Sequence, residues 1–300
     1  TGTYTANASP TVLLASAVDD NISASTAIGF NFVFGCTTYT TFTASSNGWI
    51  GLGGAAFYSE AFNDLNTTFD RPKIAPLWDD LATGSGGNVN YKLTGTAPNR
   101  VLTVEWKEME WRYTATVWAL SFQCKLYETS NRIEFIYTRN GNATANTDAP
   151  DASIGLAGAS SGQFYSLNGT GASPTASTVT ETTTLNSKPA NGQIYRWDNT
   201  SVFCTGTPTG GTSSASPTTT SCAVLTTTLT GAGMSTGCGL SYQWQSSPNN
   251  STWTNIVGAN SVTYVATNSA NTYYRLVTTC SGSGLSANGT STLVSFTGTS

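Results

Sequence analysis

The chain has 300 residues, 12 Lys and Arg against 16 Asp and Glu, and no His, for a net charge of −4. Without His it lacks the commonest general base and the commonest metal ligand, and nothing in its charge would neutralise phosphates, which argues against nucleic acid as a partner. No apolar run is long enough to cross a bilayer.

Charged residues make up only 9% of the chain and hydrophobic ones 38%. Ser and Thr fill the gap, and β-branched Thr fits a pleated, half-exposed surface. The length suits two domains, and the expectation is an all-β protein of two β-sandwiches, residues 1–200 and 201–300. The six Cys are Cys36, Cys124, Cys204, Cys222, Cys238 and Cys280. They form no C-x-x-C pair, so structural disulfides in an oxidising compartment are expected rather than a zinc site. The start at Thr1, without Met or signal sequence, reads as a mature or trimmed product.

Taken in chain order, Thr11–Ala15 with Val12, Leu13 and Leu14 is a short apolar strand, either an ordinary first strand or a segment donated to a neighbouring copy. Thr26–Cys36 alternates, with Phe30, Phe32, Phe34 and Cys36 on one face. Thr40–Leu52 holds Asn47-Gly48, which predicts a hairpin with a type I′ turn. Ala55–Leu65 is the one weak helical candidate. Gly84–Gly87 reads as a loop before an alternating Val89, Tyr91 and Leu93. Val101–Tyr113 and Ala115–Tyr127 are long strands, and Ile133, Phe135 and Tyr137 return along a partner. Cys36 and Cys124 both fall on apolar strand faces, which predicts a Cys36–Cys124 bridge. Residues 139–190 read as strands joined by long loops, with Gln193–Trp197 closing the first domain.

Beyond residue 200 the composition changes: there is no Asp or Glu, and Arg275 is the only Lys or Arg. Thr205–Thr220 is a linker or a loosely paired first strand. Strands follow at Cys222–Thr230, Leu240–Gln245, Ser261–Ala266, Thr272–Cys280 and Ser291–Phe296, at the spacing of a small sandwich. Tyr242-Gln243-Trp244 resembles strand C of an immunoglobulin-type sandwich and Tyr273-Tyr274-Arg275-Leu276 the start of its strand F, with Leu229 and Leu276 in place of the central cysteines. On that frame Cys238–Cys280 is favoured, leaving Cys204–Cys222, and Cys222–Cys280 is the alternative.

Ile28-Gly29-Phe30-Asn31-Phe32, Ser45-Ser46-Asn47-Gly48-Trp49-Ile50, Lys73-Ile74-Ala75-Pro76-Leu77-Trp78-Asp79-Asp80-Leu81 and Ser121-Phe122-Gln123-Cys124-Lys125-Leu126-Tyr127-Glu128 resemble, in this order, the nidogen-like extracellular domain of secreted and surface proteins of Bacteroidetes. That resemblance implies a jelly-roll-type first sandwich, an Ig-like second one, and an exported protein with adhesive or structural work. It supplies no catalytic residue. Such proteins often end in a sorting domain, which this sequence does not show, as expected of removal or a shortened chain.

Asp79-Asp80 and Asp19-Asp20-Asn21 could supply oxygens to Ca²⁺, but Asp at a strand end more often makes local turns, so neither a metal nor a cofactor is expected. Glu105, Glu108, Glu110, Glu128 and Glu134 are spaced among Lys107, Arg112 and Lys125 as on a solvated sheet face, rather than as a glycosidase pair. Trp111, Tyr113 and Trp253 could stack on sugar rings if exposed, although core packing claims most Trp. The leading expectation is a non-enzymatic, secreted structural or adhesive surface protein, self-assembling into a filament, with glycans or cell-surface material as further partners. The alternative is a monomeric lectin-like module with an Ig-like spacer.

Overall fold

A computed structural model of the chain describes residues 1–298 apart from 55–56, 59–61, 68, 142–150, 199–203, 205 and 224. The fold is all-β, with no helix among the described residues. The chain divides into two compact units, Thr1–Phe203 and Cys204–Ser300.

The first unit contains β1 (Thr11–Leu14), β2 (Thr26–Phe34), β3 (Thr37–Ala44), β4 (Ile50–Leu52), β5 (Lys73–Trp78), β6 (Ala82–Thr94), β7 (Val101–Glu110), β8 (Leu120–Tyr127), β9 (Ile133–Arg139), β10 (Ser153–Ala157), β11 (Phe164–Leu167), β12 (Ala176–Ser177) and β13 (Ile194–Trp197). One sheet runs β1-β6-β7-β8-β9-β13 and the other β12-β11-β10-β5-β4-β3-β2. Their inward faces form one core. Phe30, Phe32 and Phe34 of β2 and Phe42 of β3 join Val104 and Trp106 of β7, Phe122 and Cys124 of β8 and Phe135 of β9. The alternation in β2 is therefore real: Phe32 and Phe34 are buried while Asn31 is exposed. A second apolar cluster, with Trp49, Leu65, Trp78 and Phe164, includes residues of the segment between β4 and β5. Lys73 is fully buried in this region, its ammonium 4.4 Å from the Trp49 ring centroid and 4.2 Å from that of Trp78, where the ring faces attract the cation.

The turn assignments need correction. The two-residue hairpin with positive φ at both central residues is Gly35-Cys36 (φ 57° and 62°), joining β2 to β3. Cys36 therefore sits at an exposed turn tip rather than on the inward strand face. Asn47-Gly48 lies in a longer, buried connection, where Ala44 pairs with Ile50. Gly48 is required there: at φ +81° a Cβ would lie 1.8 Å from the Leu77 carbonyl oxygen. Gly84–Gly87 belongs to β6 rather than to a loop, and the register slips between Thr83 and Asn88, as at a bulge. A Cβ on Gly87 would meet the Glu108 carbonyl oxygen at 2.7 Å. Within Ala55–Leu65 the described residues are not helical; residues 55–56 and 59–61 lie outside the description.

The second unit contains β14 (Thr212–Ser216), β15 (Thr219–Ser221), β16 (Thr226–Ala232), β17 (Leu240–Ser247), β18 (Thr254–Asn255), β19 (Thr263–Thr267), β20 (Thr272–Cys280), β21 (Ser286–Asn288) and β22 (Thr292–Thr297). One sheet is β14-β16-β19 and the other β15-β22-β20-β17-β18, with β21 on β20. Residues 212–216 and 219–221 are thus paired strands, one in each sheet, the chain changing sheet at Pro217-Thr218. Leu229, Trp244, Tyr274, Leu276 and Val294 make the small core.

The cysteine pairing differs from expectation. Cys204 bonds Cys280, while Cys124 is a buried free thiol and Cys222 an exposed one. Cys36 and Cys238 are both oxidised. The Cys36–Cys124, Cys238–Cys280, Cys204–Cys222 and Cys222–Cys280 pairings are therefore all replaced. Cys124 sits under the first sheet, out of reach of a turn tip, and burial raises its thiol pKa beyond the titrating range. Cys280 ends β20 opposite Leu240, where the segment carrying Cys204 passes: Cys204 Sγ lies 3.2 Å from the Gly239 carbonyl oxygen.

Candidate functional site

Among the described residues, Asp19, Asp20 and Asp80 gather their carboxylates within 4.8 Å of one another. Two elements distant in sequence bring them together. Residues 15–22 cross the end of β6, where Val18 pairs with Thr83 and Ile22 with Ser45. The Thr83 hydroxyl fixes that crossing, accepting from Val18 N and donating to the Ala15 carbonyl oxygen. Asp80 follows β5 directly. Asn47 ties the group to the buried hairpin: its Nδ2 donates to Asp20 at 2.8 Å, and its Oδ1 accepts from Leu81 N at 3.1 Å.

Asp79 and Asp80 have opposite duties. Asp79 is buried and accepts from Trp111 Nε1 at 2.5 Å, Asp80 N at 2.8 Å and Asp151 N at 3.1 Å. It is a hydrogen-bond hub that holds Trp111 and the start of β10. Asp80 faces the other way. Desolvation, and then the charges of Asp19, Asp20 and Asp79, push its carboxyl up to about 6. Asp19 is raised by burial and by Asp20. Three carboxylates gathered this closely could hold a hard cation such as Ca²⁺, which takes oxygen ligands.

A second acidic pair has no counterpart in the sequence reading. Asp64 and Glu181 share a hydrogen bond, and Glu181 also accepts from Leu65 N. Burial, followed by the contact with Asp64, pushes Glu181 up to about 7. Nearby, Arg71 donates to the carbonyl oxygens of Leu65, Thr67, Gly158 and Gln163, so one guanidinium ties the β4–β5 connection to the β10–β11 turn.

The glutamates are dispersed. Glu105 is buried on β7 and accepts from Tyr4, Asn7, Asn90 and Gln123. Glu128 takes a bidentate grip from Arg100, which holds its carboxyl down at about 2. Glu134 accepts from Tyr127 and faces Lys125, Glu108 lies 3.7 Å from Lys107, and burial raises Glu110. Of the aromatic platforms, Trp111 is 1% exposed and Arg275 covers Trp253 at 4.2 Å from the ring centroid, leaving Tyr113 open. Val12, Leu13 and Leu14 lie in β1, an edge strand paired antiparallel with β6 of the same chain. Leu14 reaches the core and Val12 is exposed.

A family model described as NIDO related matches residues 1–199. The chain belongs to this family. The four motifs quoted above all lie in the NIDO-related domain, and three of them line the features just described: the buried hairpin, the Asp79 hub, and the β8 row that includes Gln123. Residues 209–298 match a domain of unknown function, DUF8696. No curated protein matches the chain. Among the described residues no helix is long and apolar enough to cross a membrane.

Proposed function

We propose that this chain is a secreted, non-enzymatic structural or adhesive surface protein that associates with copies of itself. The observation that carries the reading is the edge of the three-stranded sheet in the second unit. β19 (Thr263–Thr267) pairs with β16 on one side only, contains no charge, and exposes 59% of Val265. Edge strands of soluble proteins are ordinarily guarded by charge, Pro or a covering segment against pairing with another sheet. An unguarded edge in a domain with a single cation suits a protein built to associate. The oxidised Cys204–Cys280 pair and the NIDO-related domain support an extracellular location, and the motif resemblance supports a source among the Bacteroidetes.

An Ig-like second domain is supported by Trp244 packed with Leu229 and Leu276. It is also supported by Tyr274, whose hydroxyl donates to Asn268 Oδ1, six residues upstream, at 2.9 Å, in the manner of a tyrosine corner. The non-enzymatic reading draws on the engaged state of Glu105, Glu128 and Asp79.

Light scattering and electron microscopy at micromolar concentration test the proposal. Regular multimers that dissociate on Val265→Lys support it, and monodisperse monomers across that range defeat it. One observation favours a glycan-binding reading: a cavity of about 300 Å³ in the second unit, lined by Tyr264, Tyr274 and the hydroxyl-bearing Ser246, Thr267, Ser269 and Thr272. Its uncharged lining suits a neutral sugar ring. Monomers that bind a glycan array and lose binding on Tyr264→Ala would establish that alternative.

A further inference from the structure

Residues 1–8 form no strand, yet they cross the outer face of the first sheet along a single row of side chains. The register defines that row: Val12 opposite Asn90, Asn90 opposite Glu105, Glu105 opposite Gln123, Gln123 opposite Ile136, and Ile136 opposite Ile194. The arm follows it from end to end. Gly2 N donates to the Gly192 carbonyl oxygen at 2.7 Å, and its Cα rests so close to Ile194 and Ile136 that a Cβ would meet Ile194 Cδ1 at 2.7 Å. Tyr4 donates its hydroxyl to Glu105 at 2.6 Å. The Thr5 carbonyl oxygen accepts from Gln123 Nε2 at 2.8 Å. Asn7 N donates to both Glu105 oxygens at 3.3 Å, and Asn7 Nδ2 donates to Asn90 Oδ1 at 2.9 Å. Beside the row, two residues along β6 from Asn90, Lys92 donates to the Ala8 carbonyl oxygen.

This is a groove for an extended peptide, with a carboxylate at its centre and amides on both sides. Asn90, Glu105 and Gln123 are each 1% exposed, buried in part by the arm itself. Three properties make the occupant exchangeable. Most of the arm residues are exposed. The attachment is mainly polar, so on departure the groove takes up water in place of the arm and no buried group is stranded. The hinge is under tension: Ser9 holds φ +50° directly before Pro10, where a non-glycine residue is disfavoured and the position before proline prefers an extended backbone. Extending Ser9 relieves it and swings the arm away from its own groove.

Building on the self-association proposed above, we infer that residues 1–8 of one copy seat in the Asn90–Glu105–Gln123 groove of a second copy. Reciprocal exchange closes a two-fold dimer, and one-way exchange continues as an open chain of copies. The acceptor chemistry is unchanged, because every contact above runs between the arm and the sheet and is indifferent to which copy supplies the arm.

The test uses the full chain with Cys222→Ser, to remove the exposed thiol, and Asn7→Cys with Asn90→Cys, to trap the arm in its groove. Equal amounts of ¹⁴N- and ¹⁵N-labelled protein are mixed before oxidation and analysed by peptide mass spectrometry. Exchange predicts that about half of the trapped peptide pairs carry one isotope of each kind, as random pairing of copies requires. Same-isotope pairs alone, in particles larger than a monomer, overturn the exchange and leave self-association standing. Same-isotope pairs in a monomeric sample overturn both. If the cysteine variant does not fold, a photoreactive residue at position 4 gives the same isotope readout in the otherwise native chain.

Discussion

Removing the Cys204–Cys280 bridge by the double change Cys204→Ala and Cys280→Ala should leave the second unit barely folded. The bridge joins residues 76 apart in sequence. In the chain-entropy description, closing a loop of that length costs the unfolded ensemble about 4.5 kcal/mol at 25 °C. A domain of this size has roughly 5–15 kcal/mol of stability in all, and the buried apolar cluster here is only Leu229, Trp244, Ala259, Ala266, Tyr274, Leu276 and Val294. With a urea slope near the low end of about 1–3 kcal/mol/M, the midpoint of the second unit should fall by about 2–4 M. Trp fluorescence would be dominated by the first unit, so hydrogen exchange resolved on peptides containing Trp244 is the suitable assay. Protection there should collapse while peptides containing Trp106 remain protected. A loss below about 1 kcal/mol, or equal losses at Trp244 and Trp106, would refute the argument from loop closure.

Glu181 and Asp80 are raised to about 7 and about 6, so between their ordinary values and these the folded chain binds protons that the unfolded chain does not. Their contribution is complete at low pH and is lost as pH rises through 6 and 7. Thermal unfolding of the first unit should therefore shift upward from pH 8 to pH 5.5, and Glu181→Gln should flatten the curve; a midpoint independent of pH would contradict this. Asp79→Ala strands Trp111 Nε1 and two backbone N–H groups and should cost about 3–5 kcal/mol, read as a lower denaturant midpoint, whereas an unchanged midpoint would show that water replaces the hub. Gly48→Ala drives a Cβ into the Leu77 carbonyl oxygen and should prevent the first unit from folding, which a native-like circular dichroism spectrum would disprove.

Strand alternation carried most of the architecture. The Phe30-Phe32-Phe34 face, the β7–β8–β9 meander and the Trp244 layer follow from side-chain period alone, because each has one dry side. The hairpin turn falls at Gly35-Cys36 instead of Asn47-Gly48 for a physical reason. Asn47 looks like a turn residue, but its amide is spent on Asp20 and Leu81, while Gly35-Cys36 supplies positive φ with a residue seldom found there. That displacement also removed Cys36 from the inward face and with it the expected bridge. The acidic group was half legible: both Asp pairs stood out, yet only the Val18–Thr83 pairing, across 65 residues, brings Asp80 to Asp19 and Asp20. Nothing in Thr1–Ala8 has periodicity, so its path over the sheet emerges only from the register of six strands. Asp64 and Glu181 lie 117 residues apart, in loops whose approach no local pattern encodes.

The second unit holds a lone guanidinium, parked on Trp253 and bonded to Gln245. With no second ion in the domain to attract or repel it, dissolved salt has almost nothing there to screen. Brackish, marine and acidified water should look alike to this half of the molecule, and any response to salinity belongs to the half that carries the carboxylates.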